Sequence, residues 1–135
     1  MVTYVFWDIE NVSIHNLGRI MERIGTNEGD TERYAVYSRI KESRTRSLIE
    51  EGWLLVPAGN ASRNSADNKI KLMIEALMET ADDSINKIII ITEDKGFRKI
   101  AKTIIERGIG LEIICGSKNP AWIDELRSYA VSYRG

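Results

Sequence analysis

The chain is poor in the residues that build most specialised sites, with one cysteine and one histidine among its 135 residues. A lone cysteine excludes an intramolecular disulfide. Cys115 follows Ile113 and Ile114, so it reads as a buried, reduced thiol in a strand, in keeping with a reducing cytoplasm. His15 and Cys115 are too isolated to suggest zinc. An excess of charge of one sign is missing too. Nineteen basic and 20 acidic residues leave a net charge of −1, so the total advertises neither a nucleic acid nor a membrane, and any basic surface is local. Asp8 and Glu10 cut the apolar start short, and no apolar run approaches the length of a membrane span. The chain is therefore expected to be soluble, unprocessed and cytoplasmic. It also lacks repeats, low-complexity tracts and linkers, and its length suits a single core, which makes 1–135 one domain.

What is present is a regular alternation of strand-like and helix-like segments. Val2 to Trp7 reads as a first strand, and Ile14, Leu17, Ile20, Met21 and Ile24 recur at helical spacing before a turn at Gly25. Arg33 to Tyr37 follows as a strand, and Glu42 to Glu51 as a polar helix with Leu48 and Ile49 facing inward. Trp53 to Val56 is a third strand, stopped by Pro57. A small, polar loop then leads to Ser65, read as the cap of a helix from about Asp67 to Thr80 with Ile70, Met73, Ile74 and Leu77 as its core stripe. Lys87 to Ile91 is the most continuously apolar strand and belongs mid-sheet. A helix marked by Phe97, Ile100, Ala101, Ile104 and Ile105 ends at Gly108 and Gly110, and Leu111 to Cys115 is a fifth strand. Pro120 starts a last helix through Trp122, Ile123 and Leu126, and Tyr129 to Tyr133 is either an edge strand or a cover for the core. This order implies an α/β fold with a mainly parallel five-stranded sheet and helices on both faces.

In such a sheet the loops leaving the carboxyl ends of the strands share one rim. Asp8 leaves the first strand, Asp94 follows the fourth, and Asp67 starts the helix between the third and fourth. Carboxylates gathered there repel one another unless protons or a cation compensate, and an all-oxygen donor set favours magnesium or manganese. Each residue also has a plainer reading. Asp67 is an ordinary helix-start residue, Asn11 an Asx-turn residue, Glu10 and Glu93 solvated acids, and His15 a surface or capping residue. Asp67 gains weight only by company. Trp7, embedded in an apolar strand, reads as core rather than as a platform for a base.

Three segments carry a resemblance. Phe6-Trp7-Asp8-Ile9-Glu10-Asn11, Asn64 to Ile70, and Ile88 to Asp94 followed by Phe97 together resemble the signature segments of an NYN domain. That domain is a branch of the PIN-like nuclease superfamily, and the likeness is greatest to the limkain-b1 type. The resemblance implies a three-layer α/β/α sandwich, PIN-like and Rossmann-like, with metal-dependent ribonuclease activity. Asp8, Asp67 and Asp94 match acidic metal-site residues of the family, holding Mg2+ or Mn2+, and Asn11 matches its amide. Two positions depart from the pattern: Gly96 stands where many relatives have a second acid, and Ser38 where some have one. A thinner acid set implies weaker metal binding or attenuated turnover.

Around the rim, Arg39, Lys41, Arg63, Lys69 and Lys95 are candidates for contact with a nucleic-acid backbone, with Arg44, Arg46 and Arg98 nearby. A solvated helix face explains Arg44 and Arg46 equally well. The resulting expectation is an endoribonuclease acting on single-stranded RNA, with Asp8, Asn11, Asp67 and Asp94 as its catalytic set. Pairing into a homodimer and targeting by a partner protein accompany that reading, and no membrane does. The rival is an NYN-like module that grips RNA or a protein without cutting. Phosphotransfer to a small substrate is set aside, because Glu10 is not aspartate and no Gly-rich loop follows the first strand.

Overall fold

A computed structural model describes residues 1–25, 29–38, 42–59, 65–116 and 120–126. Five strands form one sheet: β1 (Val2–Asp8), β2 (Asp30–Tyr37), β3 (Leu54–Pro57), β4 (Ile85–Ile91) and β5 (Gly110–Ile114). Their spatial order is β3-β2-β1-β4-β5, and among the described residues every neighbouring pair runs parallel, as the mainly parallel sheet expected from the sequence requires. The helices are α1 (Leu17–Ile24), α2 (Glu42–Glu50), α3 (Ser65–Thr80), α4 (Arg98–Glu106) and α5 (Ala121–Leu126).

Strand alternation sorts the side chains into two cores. Val5, Trp7, Ala35, Ile89, Ile91 and Ile114 pack with Ile20 and Ile24 of α1 and Leu48 of α2. Phe6, Val36, Ile88, Ile90, Leu111 and Ile113 pack on the other face with Ile70 and Ile74 of α3, Ile104 of α4 and Trp122 of α5. Ile88 to Ile91 are all fully buried, which is why β4 is apolar at every position rather than at every second one. Each such side chain contributes roughly 1.5–3 kcal/mol of transfer free energy. The layers are therefore α1 and α2, the sheet, then α3 to α5.

Several boundaries differ from the sequence reading. β2 begins at Asp30 and β4 at Ile85, because ladder pairing with β1 continues into residues that alternate or are polar. Ser65 lies inside α3 and is buried, rather than capping it from outside. In α2, Leu48 is fully buried but Ile49 is 59% exposed. Consecutive helical residues point about 100° apart, so both could not face the sheet. The end of α4 follows expectation: Gly108 takes φ +76°, and Ile109 N–H reaches back to the Ile104 carbonyl at 3.2 Å. Tyr129 to Tyr133 lie outside the described residues. Glu112 of β5, buried on an edge strand, is neutralised by Arg23 and Lys87, each at 2.7 Å.

Candidate active site

The order of the strands reverses between β1 and β4, and such a switch point opens a crevice at the carboxyl ends. Trp7 is in register with Ile91, so the residues that follow, Asp8 and Thr92, emerge side by side. The two-residue alternation then decides where Asp8 points. Phe6 belongs to the α3-side core, and Asp8, two residues on, shares that side with the first turn of α3, where Asp67 stands.

The turn after β1 is fixed by its neighbours. The N–H groups of Asn11 and Val12 both reach the Asp8 carbonyl, at 3.1 and 3.0 Å. Beneath them the Trp7 indole N–H donates to the Val12 carbonyl at 2.8 Å, and its ring meets Trp53 edge-on at 5.2 Å. Trp7 is core, as the sequence suggested. Asn11 is held by the other strand: its Oδ1 accepts from the Glu93 N–H at 2.6 Å and the Thr92 hydroxyl at 3.2 Å. With the oxygen committed, Nδ2 is the group of this cavity-lining amide left to donate. Thr92 also accepts from the Asp94 N–H at 3.1 Å, and Asp94 Oδ1 accepts from the Gly96 N–H at 2.9 Å, capping the 3₁₀ turn at Lys95–Phe97. On the far side the Trp122 indole donates to the Glu93 carbonyl at 3.2 Å, anchoring α5 to the same loop.

These constraints gather Asp8, Glu10, Asn11, Asp67, Glu93, Asp94 and Lys95 around one cavity of about 630 Å³. Asp8 and Asp67 are 4% and 7% exposed. Burial, aided by the charges of Asp67, Glu10 and Asp94, pushes the Asp8 carboxyl up to about 7, against a smaller opposing pull from the Asn11 main-chain N–H. Asp67 is raised as well, first by burial and then by the hydrogen bond it shares with Asp94, with Lys71 opposing. Two carboxylates in hydrogen-bond contact need a proton or a cation between them.

Among the described residues, no three His, Cys, Asp or Glu side chains are already drawn into a metal-holding group. The donor set still fits a hard cation. It is oxygen only, burial and acidic neighbours raise the carboxyls of both Asp8 and Asp67, and the cavity has room for an ion with bound waters.

The profile of the NYN domain matches residues 2–133. The chain belongs to the NYN domain family. The all-parallel α/β sheet agrees with its place in the PIN-like nuclease superfamily, and the match does not single out the limkain-b1 type. Curated proteins offer no match.

Not every candidate of this NYN domain comes to the cavity. Lys95 is exposed and lines it, whereas Lys69 is half-buried on α3 and is not among the lining residues described. Arg39, Lys41 and Arg63 lie outside the described residues. Arg98 is engaged elsewhere, with Glu125 of α5 at 2.9 Å, and His15 is exposed, donating its main-chain N–H to Ser13 Oγ. Ser38, read as a missing acid, instead holds one: its N–H and its hydroxyl both donate to Glu10 Oε1 at 2.8 Å. Sequence reasoning missed Lys71, whose Nζ lies 4.0 Å from Asp67 Oδ2. The signal was available, since an acid and a lysine four apart on a helix are neighbours.

Proposed function

We propose that this domain hydrolyses phosphodiester bonds of single-stranded RNA as an endoribonuclease, with Asp8, Asp67 and Asp94 as holders of Mg2+ or Mn2+. One observation carries the reading: carboxylates from three distant segments line one cavity, and Asp8 is perturbed to about 7 by its burial and its acidic neighbours. A polyanion does not approach such a cavity unless positive charge offsets it. When bound, the cation would lower the pKa of a water and screen charge developing on the phosphate. The residues themselves do the rest. Asn11 offers Nδ2 to a phosphate oxygen, Lys95 meets the backbone at the cavity mouth, and Glu10, steered by Ser38, and Glu93 add oxygen donors at the rim. With water attacking and the 3′-oxygen leaving, the products carry a 5′-phosphate and a 3′-hydroxyl.

The test is cleavage of an end-labelled single strand in Mn2+ by the intact protein and by Asp8→Asn. Cutting that is lost in the variant supports the proposal, and full activity in a clean Asp8→Asn preparation sinks it. A second reading, an RNA-gripping module that does not cut, is favoured by the lack of a ready metal-holding group among the described residues. In the same assay a binder retards the strand on a gel and leaves its length unchanged. A homodimer and a targeting partner belong to the same proposal, the first checked by light scattering.

A further inference from the structure

Asp67 and Asp94 form one side of the cavity, and Gly96 sits against both. A Cβ at position 96 would lie 3.4 Å from Asp94 Oδ1, 3.5 Å from Asp67 Oδ2 and 3.2 Å from Lys71 Nζ. Those three distances place an ammonium group beside the same small space that the two carboxylates border. Lys71 is held there from two directions: its Nζ is 4.0 Å from Asp67 Oδ2 on the same helix and 5.4 Å from the centroid of the Phe97 ring. Its side chain is 27% exposed, so water screens the pair only partly. The absence of a side chain at 96 leaves that space open beside Lys71, and an acid there would add a third carboxylate next to the ammonium.

We infer that Lys71, though not among the residues described as lining the cavity, is a built-in counter-cation beside the Asp67 and Asp94 carboxylates that do line it, occupying the place of a second divalent ion, so that this site takes up one ion. The inference rests on the proposal that the acids take up a divalent ion at all. Two consequences follow from charge alone. Without metal, Lys71 offsets repulsion between Asp67 and Asp94. With metal, its positive charge opposes uptake, and removing it tightens binding.

The experiment compares wild type with Lys71→Met, which keeps the length and the contact with Phe97, and with Lys71→Arg, which keeps the charge. Thermal unfolding in chelator at a fixed pH should lower Tm by about 4 °C in Lys71→Met and little in Lys71→Arg. Mn2+ titration followed by calorimetry should give one ion for wild type and affinity about tenfold higher for Lys71→Met, the direction set by losing a like charge nearby. The double variant Lys71→Met with Gly96→Asp should take two ions. Two ions on wild type, or equal Mn2+ affinity in wild type and Lys71→Met, overturns this inference alone. No Mn2+ uptake by any of the folded proteins overturns the metal-dependent function as well.

Discussion

Asn11 and Glu93, 82 residues apart in the chain, are joined by a 2.6 Å hydrogen bond from the Glu93 N–H to the Asn11 side-chain oxygen. The bond ties the end of β1 to the end of β4, the two strands that flank the switch point. Asn11 therefore acts on the site by setting the spacing of the loops that bear Asp8 and Asp94, and its side chain does not hold Asp8 directly.

Removing that acceptor has a definite cost. Asn11→Ala leaves the Glu93 N–H and the Thr92 hydroxyl to water, and should lower stability by about 1 kcal/mol in urea unfolding. Cleavage should fall more than tenfold, since small misplacements of reacting groups are expensive. Asn11→Asp keeps the acceptor but adds a negative charge to the cavity. It should match wild type at pH 5 and be less stable than wild type at pH 8. Equal stability of the two variants at both pH values would show that the bond carries no structural weight.

The perturbed Asp8 carboxyl makes stability depend on pH. Its folded value of about 7 lies well above an ordinary aspartate's, so between about pH 4 and 7 the folded protein holds a proton that the unfolded chain has lost. The stability that proton confers is complete at low pH and is lost as pH rises through 7. Metal-free protein should therefore lose on the order of 4 kcal/mol over that window, and Asp8→Asn should flatten the profile. Glu10→Gln removes one of the charges raising Asp8 and should move the end of the decline to lower pH. Mn2+ should stabilise most above pH 7, where binding displaces no proton from Asp8. A wild-type profile that is level from pH 4 to 8 in chelator would contradict this account.

The architecture was legible in the sequence because buried parallel strands must be apolar, and Ile88 to Ile91 announce such a strand without ambiguity. The convergence of Asp8 and Asp94 followed from the same logic, since both lie just past strands that the fold sets side by side. What could not be read were contacts made only by tertiary packing. The Asn11 bonds to Thr92 and Glu93, the grip of Ser38 on Glu10, and the Trp122 bond to the Glu93 carbonyl all join distant segments with no local pattern. Lys71 is a different case: its spacing from Asp67 was visible, but nothing local says that Gly96 opens the space beside its ammonium.

The orientation of α2 gives a stability test independent of chemistry. Leu48 is fully buried against the sheet and its neighbour Ile49 is largely exposed. Leu48→Ala should cost about 2–5 kcal/mol, through lost transfer energy and the cavity left behind. Ile49→Ala should stay within about 0.5 kcal/mol of wild type. Chemical denaturation of the two variants decides the matter. Similar losses in both would mean that α2 is rotated, or that a partner covers Ile49.

Lys95 is the basic residue described at the cavity mouth, and its role is separable from that of the acids. A lysine that meets a phosphate releases a counterion, whereas one that merely lies near the site does not. In Lys95→Ala, binding of a single-stranded RNA, measured with Asp8→Asn as background so that the strand survives, should weaken to a similar degree for every sequence. The slope of log affinity against log salt should shrink in magnitude by about 0.7, the share of one phosphate contact. Lys69→Ala, at a position of α3 that is not among the residues described as lining the cavity, should leave that slope in place. If Lys69→Ala reduces the slope and Lys95→Ala does not, the RNA runs over α3 instead of across the cavity mouth, and Lys95 has no part in its path.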